Sequence, residues 1–145
     1  MSEADIRAER LKKLEKLQAA GIEAYPVSVE RDYSISEVLE RFETLETDAA
    51  SFSIVGRIMA LRSQGGIMFV DLYDGSASLT TGGTERMQAV VQKEETKEFD
   101  LFAETVDTGD FIQVTGTPFV TKRGERSIKV TSWKMVAKAL LPIPD

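Results

Sequence analysis

GRIMALRSQGGIMFVDLYDGS, running from Gly56 to Ser76, alternates through its middle. Successive side chains of an extended strand point to opposite faces, so Met68, Val70 and Leu72 share one side. Ile67, Phe69, Asp71 and Tyr73 share the other. The first set is what a core requires. The second puts a phenyl ring beside an aspartate and a tyrosine, a few residues after Arg62. A ring left open on a strand with a cation nearby suits the stacking of an unpaired base.

The β pattern continues on both sides. FSIVGRIMALR, GIMFVDLYD, ERMQAVVQ, DFIQVTGTPFVT and RSIKVTSWKMV are five runs rich in Val, Ile, Phe and Thr, the composition of strands. Between the third and fourth lies KEETKEFDLFAETV, charged and of about helical length. Gly109 and Asp110 then mark the return to strand, and TKRGERS around Gly124 reads as a hairpin turn. Five strands with a helix between the third and fourth is the order of an OB-fold. This mainly β Greek-key barrel often binds oligonucleotides across one face.

Upstream, residues 4–20 place Ile6, Leu11, Leu14 and Leu17 near one helical face, with Gly21 as the stop. Arg7, Arg10, Lys12, Lys13 and Lys16 fill most of the remainder, as a solvated face or as an arm for phosphates. Pro26 forces an extended approach, and Ser34 with Glu37 has capping-box spacing ahead of a short helix through SEVLERF. The expected organisation is a helical arm over 1–50 packed on the barrel, the barrel at 51–137, and a proline-punctuated linker at 138–145.

Composition narrows the chemistry. The 145 residues allow one sizeable core. Absent cysteine removes disulfides and thiolates, and absent histidine removes imidazole metal sites and histidine bases. Asp71 and Asp74 lie close together, but Asp74 belongs to a DG turn, and two carboxylates without a phosphate loop do not make a catalytic centre. The net charge of −6 runs against phosphate binding, yet its acids are segregated. Residues 31–50 carry six acids and two bases, and 93–110 carry seven and two, whereas 51–92 is balanced and 111–145 has six bases and two acids. A neutral-to-basic strand surface is left for RNA. No apolar run approaches the roughly 18 residues of a membrane span, and the N-terminus lacks a secretory pattern. A cytoplasmic protein without membrane contact is expected.

Taken together, these segments resemble the N-terminal anticodon-binding domain of bacterial-type class II lysyl-tRNA synthetases, over nearly the whole chain. RLKKLEKLQAAGIEAYP, VGRIMALRS, FVDLYDGS, GDFIQVTGTPFVTKRGERSIKV and AKALLPIPD carry the likeness. The first and last favour the lysyl branch over the aspartyl and asparaginyl relatives that share the barrel. The resemblance implies that Phe69 stacks an anticodon base, the central uridine, an interaction worth about 1–3 kcal/mol. It implies that Arg62 meets a base or phosphate through a planar fork that lysine could not copy. Gln88 matches the glutamine of the third strand. With Met87 and Ala89 turned to the core, Gln88 shares the outer face with Phe69 and can both donate and accept. Glu125, in the hairpin, matches a glutamate that helps read a flanking base.

The implied partners are a tRNA anticodon stem-loop, the catalytic domain of a parent enzyme, and a homodimer formed through that parent. No cofactor is expected in this domain. ATP and Mg2+ would belong to the catalytic domain of the parent, a lysine–tRNA ligase, and this domain would itself be non-catalytic.

One departure from the family matters for the site. Roughly eight extra residues separate Gly75 from Gln88, within the flexible-looking SASLTTGGTER. Natural loop variation and an engineered or grafted 77–84 loop on an OB scaffold are both open readings. A third class of function is structural, with the arm supporting dimerisation of the parent. A one-residue slip in the third strand would turn Gln88 inward. Read from the residues alone, Phe69 could instead lie beneath the arm, Arg62 and Gln88 could be ordinary surface residues, and Glu125 an ordinary turn glutamate. Trp133 reads as a core or rim ring.

Overall fold

Alternation of apolar and polar positions builds a closed barrel. The computed structural model describes residues 2–22, 31–77 and 84–141. Strands β1 (Phe52–Gln64), β2 (Ile67–Ala77), β3 (Thr84–Gln92), β4 (Phe111–Val120) and β5 (Arg126–Ala137) close in the order β1-β2-β3-β5-β4. Every neighbouring pair is antiparallel except β3 and β5, which run parallel. This is the five-stranded OB arrangement, and closure leaves no long edge strand unpaired among the described residues. Met68, Val70 and Leu72 point inward with Met87, Ala89, Ile112, Val114, Ile128 and Val130. Gly116 is required where β4 coils over β5. A Cβ there would sit 1.9 Å from the Lys129 carbonyl oxygen, at a register shift between the two strands.

Helix α1 (Glu3–Ala19) starts at a reciprocal cap between Ser2 and Asp5, and Gly21 follows it at φ +81. The Ser34–Glu37 capping box starts α2 (Ile35–Glu40) as the spacing predicts. The single helix read through SEVLERF is in fact two. Arg41, at φ −102 and ψ 12, interrupts it before α3 (Phe42–Thr47). Ile35, Val38, Phe42 and Leu45 add the apolar faces of both to the core. Asp74 has a structural task here. Its carboxylate accepts from the Ile35 N–H at 2.8 Å, and Ser76 accepts from the Ser36 N–H at 3.0 Å, so the DG turn holds the first turn of α2.

Helix α4 (Phe99–Thr105) is shorter than the expected 93–106. Thr96 accepts from the Gln92 N–H and donates to the Val130 carbonyl, and Glu98 is left-handed at φ 57, so the chain turns before it can coil. Phe102 of α4 meets Trp133 edge-on, with centroids 5.2 Å apart. The Trp133 indole N–H donates to the Lys97 carbonyl at 3.1 Å, as a buried indole requires. Trp133 is a core ring.

The ladder between β2 and β3 extends to Ala77 opposite Thr84, after a register shift beyond Tyr73. Residues 78–83, most of the lengthened segment, lie outside the described residues, as do Pro26 and residues 142–145. Gln88 pairs with Asp71, while Met87 and Ala89 are buried in the core. The third strand thus holds the register that keeps Gln88 on the outer face.

Candidate nucleic-acid interface

Arg62, Phe69, Gln88 and Glu125 all line one cleft of about 390 Å³ on the outside of the barrel. Backbone pairing brings them together. Arg62 lies opposite Phe69 across β1 and β2, and Phe69 lies opposite Val90 of β3. Gln88 lies opposite Asp71 on one side and Ser127 of β5 on the other. The hairpin after β4 returns Glu125 to this edge. Gly124 adopts φ +85, a left-handed conformation that favours glycine, and the Thr121 N–H donates to the Glu125 carbonyl at 2.9 Å.

The polar groups of the cleft form a chain. Phe69 is half-buried, and no described residue of α1 lines the cleft that holds it. The exposed Arg62 covers part of the ring instead, with its guanidinium carbon 5.3 Å from the ring centroid, within cation–π range. Arg62 Nη2 also donates to Gln88 Oε1 at 3.2 Å. Gln88 is only 4% exposed, so it is a recessed amide rather than an open surface group. Its Nε2 donates to Ser127 Oγ at 3.1 Å, and Ser127 donates to the Glu125 carbonyl at 3.3 Å.

At one margin, Arg86 Nη1 sits 3.1 Å from Asp71 Oδ1 and 3.0 Å from Glu125 Oε1. Such half-exposed pairs contribute about 0–1 kcal/mol each and serve mainly to orient the carboxylates. At the other margin stand Lys122 and Arg123, exposed and without an ion pair or hydrogen bond among the described residues. Sequence reading passed over Ser127, Arg86, Lys122 and Arg123. Parity did contain part of the signal, since Ile128 and Val130 face inward and Ser127 therefore shares the Gln88 face. Arg86 shares the same parity with Gln88 across the buried Met87, and the excess of bases in 111–145 pointed to Lys122 and Arg123.

The cations of α1 lie elsewhere. Of these, Arg10 and Lys13 turn to their own chain, while Arg7, Lys12 and Lys16 stay on the exposed face that the sequence suggests. Arg10 donates to the carbonyls of Thr108, Ala139 and Leu141, at 3.3, 3.2 and 2.9 Å. Lys13 pairs with Asp107 at 2.6 Å, and Lys16 pairs with Glu104 of α4. Lys138, fully buried, holds Asp107 and Asp110 at 2.7 Å each. Burial raises the Asp107 pKa, but hydrogen bonds from Lys13 and Lys138 outweigh it and leave the carboxyl below its ordinary value. For Asp110 burial prevails over the Lys138 contact, and the pKa is raised. Residues 138–141, where a linker was expected to begin, are fastened to the barrel by this cluster. No helix among the described residues is long and apolar enough to cross a membrane.

A closed five-stranded barrel with an aromatic, cation-flanked cleft is the form of an oligonucleotide-binding module. The chain belongs to the OB-fold nucleic acid binding domain family, whose pattern matches residues 52–136. Its relatives are more particular. It is 39% identical to the lysine–tRNA ligase of Clostridium perfringens over 94% of this chain. It is 35% identical to lysine–tRNA ligase 2 of Methanosarcina mazei over 94%, and 31% identical to the lysine–tRNA ligase of Thermotoga maritima over 97%. The chain spans only 26%, 26% and 28% of the length of these three proteins.

Proposed function

We propose that this chain is the anticodon-binding domain of a lysine–tRNA ligase and that it reads a uridine-rich anticodon with the cleft beside Phe69. The observation that carries this reading is the convergence of a half-buried aromatic ring, an exposed guanidinium and a recessed carboxamide in one cleft on the barrel. An unstacked base can lie on the ring while its edge meets the polar groups, which is how single-stranded RNA is commonly recognised. The resemblance of the chain to lysine–tRNA ligases along nearly its whole length supports the choice of tRNA as the RNA.

Binding requires Arg62 to move. A base between ring and guanidinium makes two contacts of about 3.5 Å each, so the planes must stand about 7 Å apart. The guanidinium carbon is 5.3 Å from the ring centroid. Arg62 therefore lifts or swings aside, keeping its N–H groups available to a base carbonyl. Glu125, held by Arg86, is placed to accept from a neighbouring base. Lys122 and Arg123 supply the positive charge that the acidic remainder of the chain lacks.

The test is a titration of an RNA hairpin with a uridine-rich loop against the parent and Phe69→Ala. Loss of the stack weakens binding by about 1–3 kcal/mol, roughly 5- to 150-fold. Equal affinities would remove Phe69 from the mechanism.

A further inference from the structure

We infer that Ser127 is a positioning residue that makes the cleft choose uracil over cytosine, by holding the Gln88 carboxamide in one of its two orientations. The inference rests on the reading of the cleft as a base-binding site. It follows from the direction of each hydrogen bond in the chain.

The Glu125 carbonyl can only accept. Ser127 Oγ lies 3.3 Å from it and has a single proton, which is committed there. Towards Gln88, at 3.1 Å, the hydroxyl therefore offers only a lone pair. The group facing it must be the amide NH2. That leaves Oε1 facing Arg62 at 3.2 Å, and a guanidinium only donates. Both ends of the chain demand the same orientation. Ser127 is fully buried, and its hydroxyl does not leave when a ligand arrives, whereas the exposed Arg62 must shift to admit a base.

The row Arg62, Gln88 Oε1, Gln88 Nε2 then reads donor, acceptor, donor. Oε1 keeps a second lone pair and Nε2 a second N–H, so both ends of the amide can still bind. The pairing edge of uracil reads acceptor, donor, acceptor through its two carbonyls and N3–H, which is the complement. Cytosine presents a donor at N4 and acceptors at N3 and O2. Against the same row, its N3 meets the amide oxygen, acceptor to acceptor. Turning the amide over would give donor, donor, acceptor, the complement of cytosine. One buried hydroxyl thus separates the two pyrimidines without touching either.

The experiment compares two RNA hairpins that differ only by uridine or cytidine at the centre of the loop, titrated against the full chain and Ser127→Ala. The parent is expected to prefer uridine by about tenfold or more, the range of one good paired edge. In Ser127→Ala the uridine affinity stays within about twofold, cytidine binding tightens, and the preference falls severalfold. A preference unchanged in Ser127→Ala overturns the inference alone, as does an equal loss for both hairpins, which would mark a merely structural serine. A parent that binds neither hairpin, or binds both equally, overturns the reading of the cleft as well. Nuclear Overhauser contacts in the unmodified protein give an independent check. Gln88 Nε2 protons close to Ser127 Hβ are expected, and the same protons found beside the Arg62 guanidinium would overturn the inference.

Discussion

Two clusters of charged and polar side chains lie at different places on this barrel. At the cleft, Arg62, Gln88, Ser127 and Phe69 are linked in a chain with unused donors and acceptors at the open side. Around Lys138, Asp107 and Asp110 are buried or nearly so, and Asp107 also meets Arg10 and Lys13 from the first helix. The second cluster is saturated by its own chain. The first is satisfied only on the protein side. A buried charge must be fully compensated, because desolvation costs several kcal/mol per ion, so the Lys138 cluster is architecture. A half-exposed chain with spare hydrogen-bonding capacity can exchange its partners for those of a ligand.

The sharpest way to break this contrast is to remove one member of the closed cluster. Lys138→Ala leaves Asp110 buried without its cation and takes one of three from Asp107, and is expected to destabilise the fold by about 3–5 kcal/mol. Urea denaturation followed by tryptophan fluorescence reads the loss. An unchanged midpoint would mean that water already solvates Asp107 and Asp110. The corresponding change at the cleft should touch binding and spare the fold. Arg62→Lys keeps the charge but loses the planar fork, and is expected to weaken a uridine-rich hairpin by about 1.5 kcal/mol, or tenfold, with the denaturation midpoint unmoved. A fall in stability instead would make Arg62 part of the architecture.

A third measurement sharpens the division within the cleft. Lys122→Gln with Arg123→Gln removes charge at a rim that carries no internal pairs among the described residues. The slope of log affinity against log salt should fall by about 0.7 for each cation that meets a single-stranded phosphate. Between 50 and 200 mM salt the parent would then lose about sevenfold more affinity than the variant. Removing Arg7 and Lys12 from the exposed side of α1 should leave the slope alone. Equal effects from the two pairs would show a diffuse field rather than a rim.

The smallest effect is a pH dependence with opposing parts. Asp107 has a lowered pKa, so its stabilising part is complete above the ordinary 3.8 and is lost as pH falls through the lowered value. Asp110 has a raised pKa, so the folded state holds that proton more tightly. Its part adds stability as pH falls from neutrality through the raised value towards 3.8. Asp107→Asn should therefore flatten the acid limb of a stability curve below 3.8. A limb as steep as the parent's would assign acid unfolding to other carboxylates.

Much of this was legible in the residues. Met68, Val70 and Leu72 alternate with Phe69 and Asp71, and strand geometry leaves little freedom once one face is apolar. The order of five β runs and one helix then admits few closures, and the capping box at Ser34 marks a helix start through contacts only three residues apart. Less legible was the fate of the basic face of α1. Its spacing says which residues share a side and nothing of the acids that will meet them nearly a hundred positions away. The break at Arg41 and the left-handed Glu98 were hidden for a related reason: their neighbours Phe42, in the core, and Thr96, on the Val130 carbonyl, are anchored by distant contacts.

The sequence alone determined the barrel, its inward and outward faces, and the presence of a phenylalanine, an arginine and a glutamine on the outer face. Those are consequences of local periodicity and near-neighbour chemistry. Only the tertiary structure decided that Gln88 would be recessed and locked by Ser127, that Arg62 would rest on Phe69, and that Arg10 and Lys13 of the first helix would be spoken for. These depend on parallel pairing of β3 with β5 and on contacts between distant segments. Such contacts form where burial and charge compensation, summed over the whole chain, outweigh the conformational entropy of ordering it.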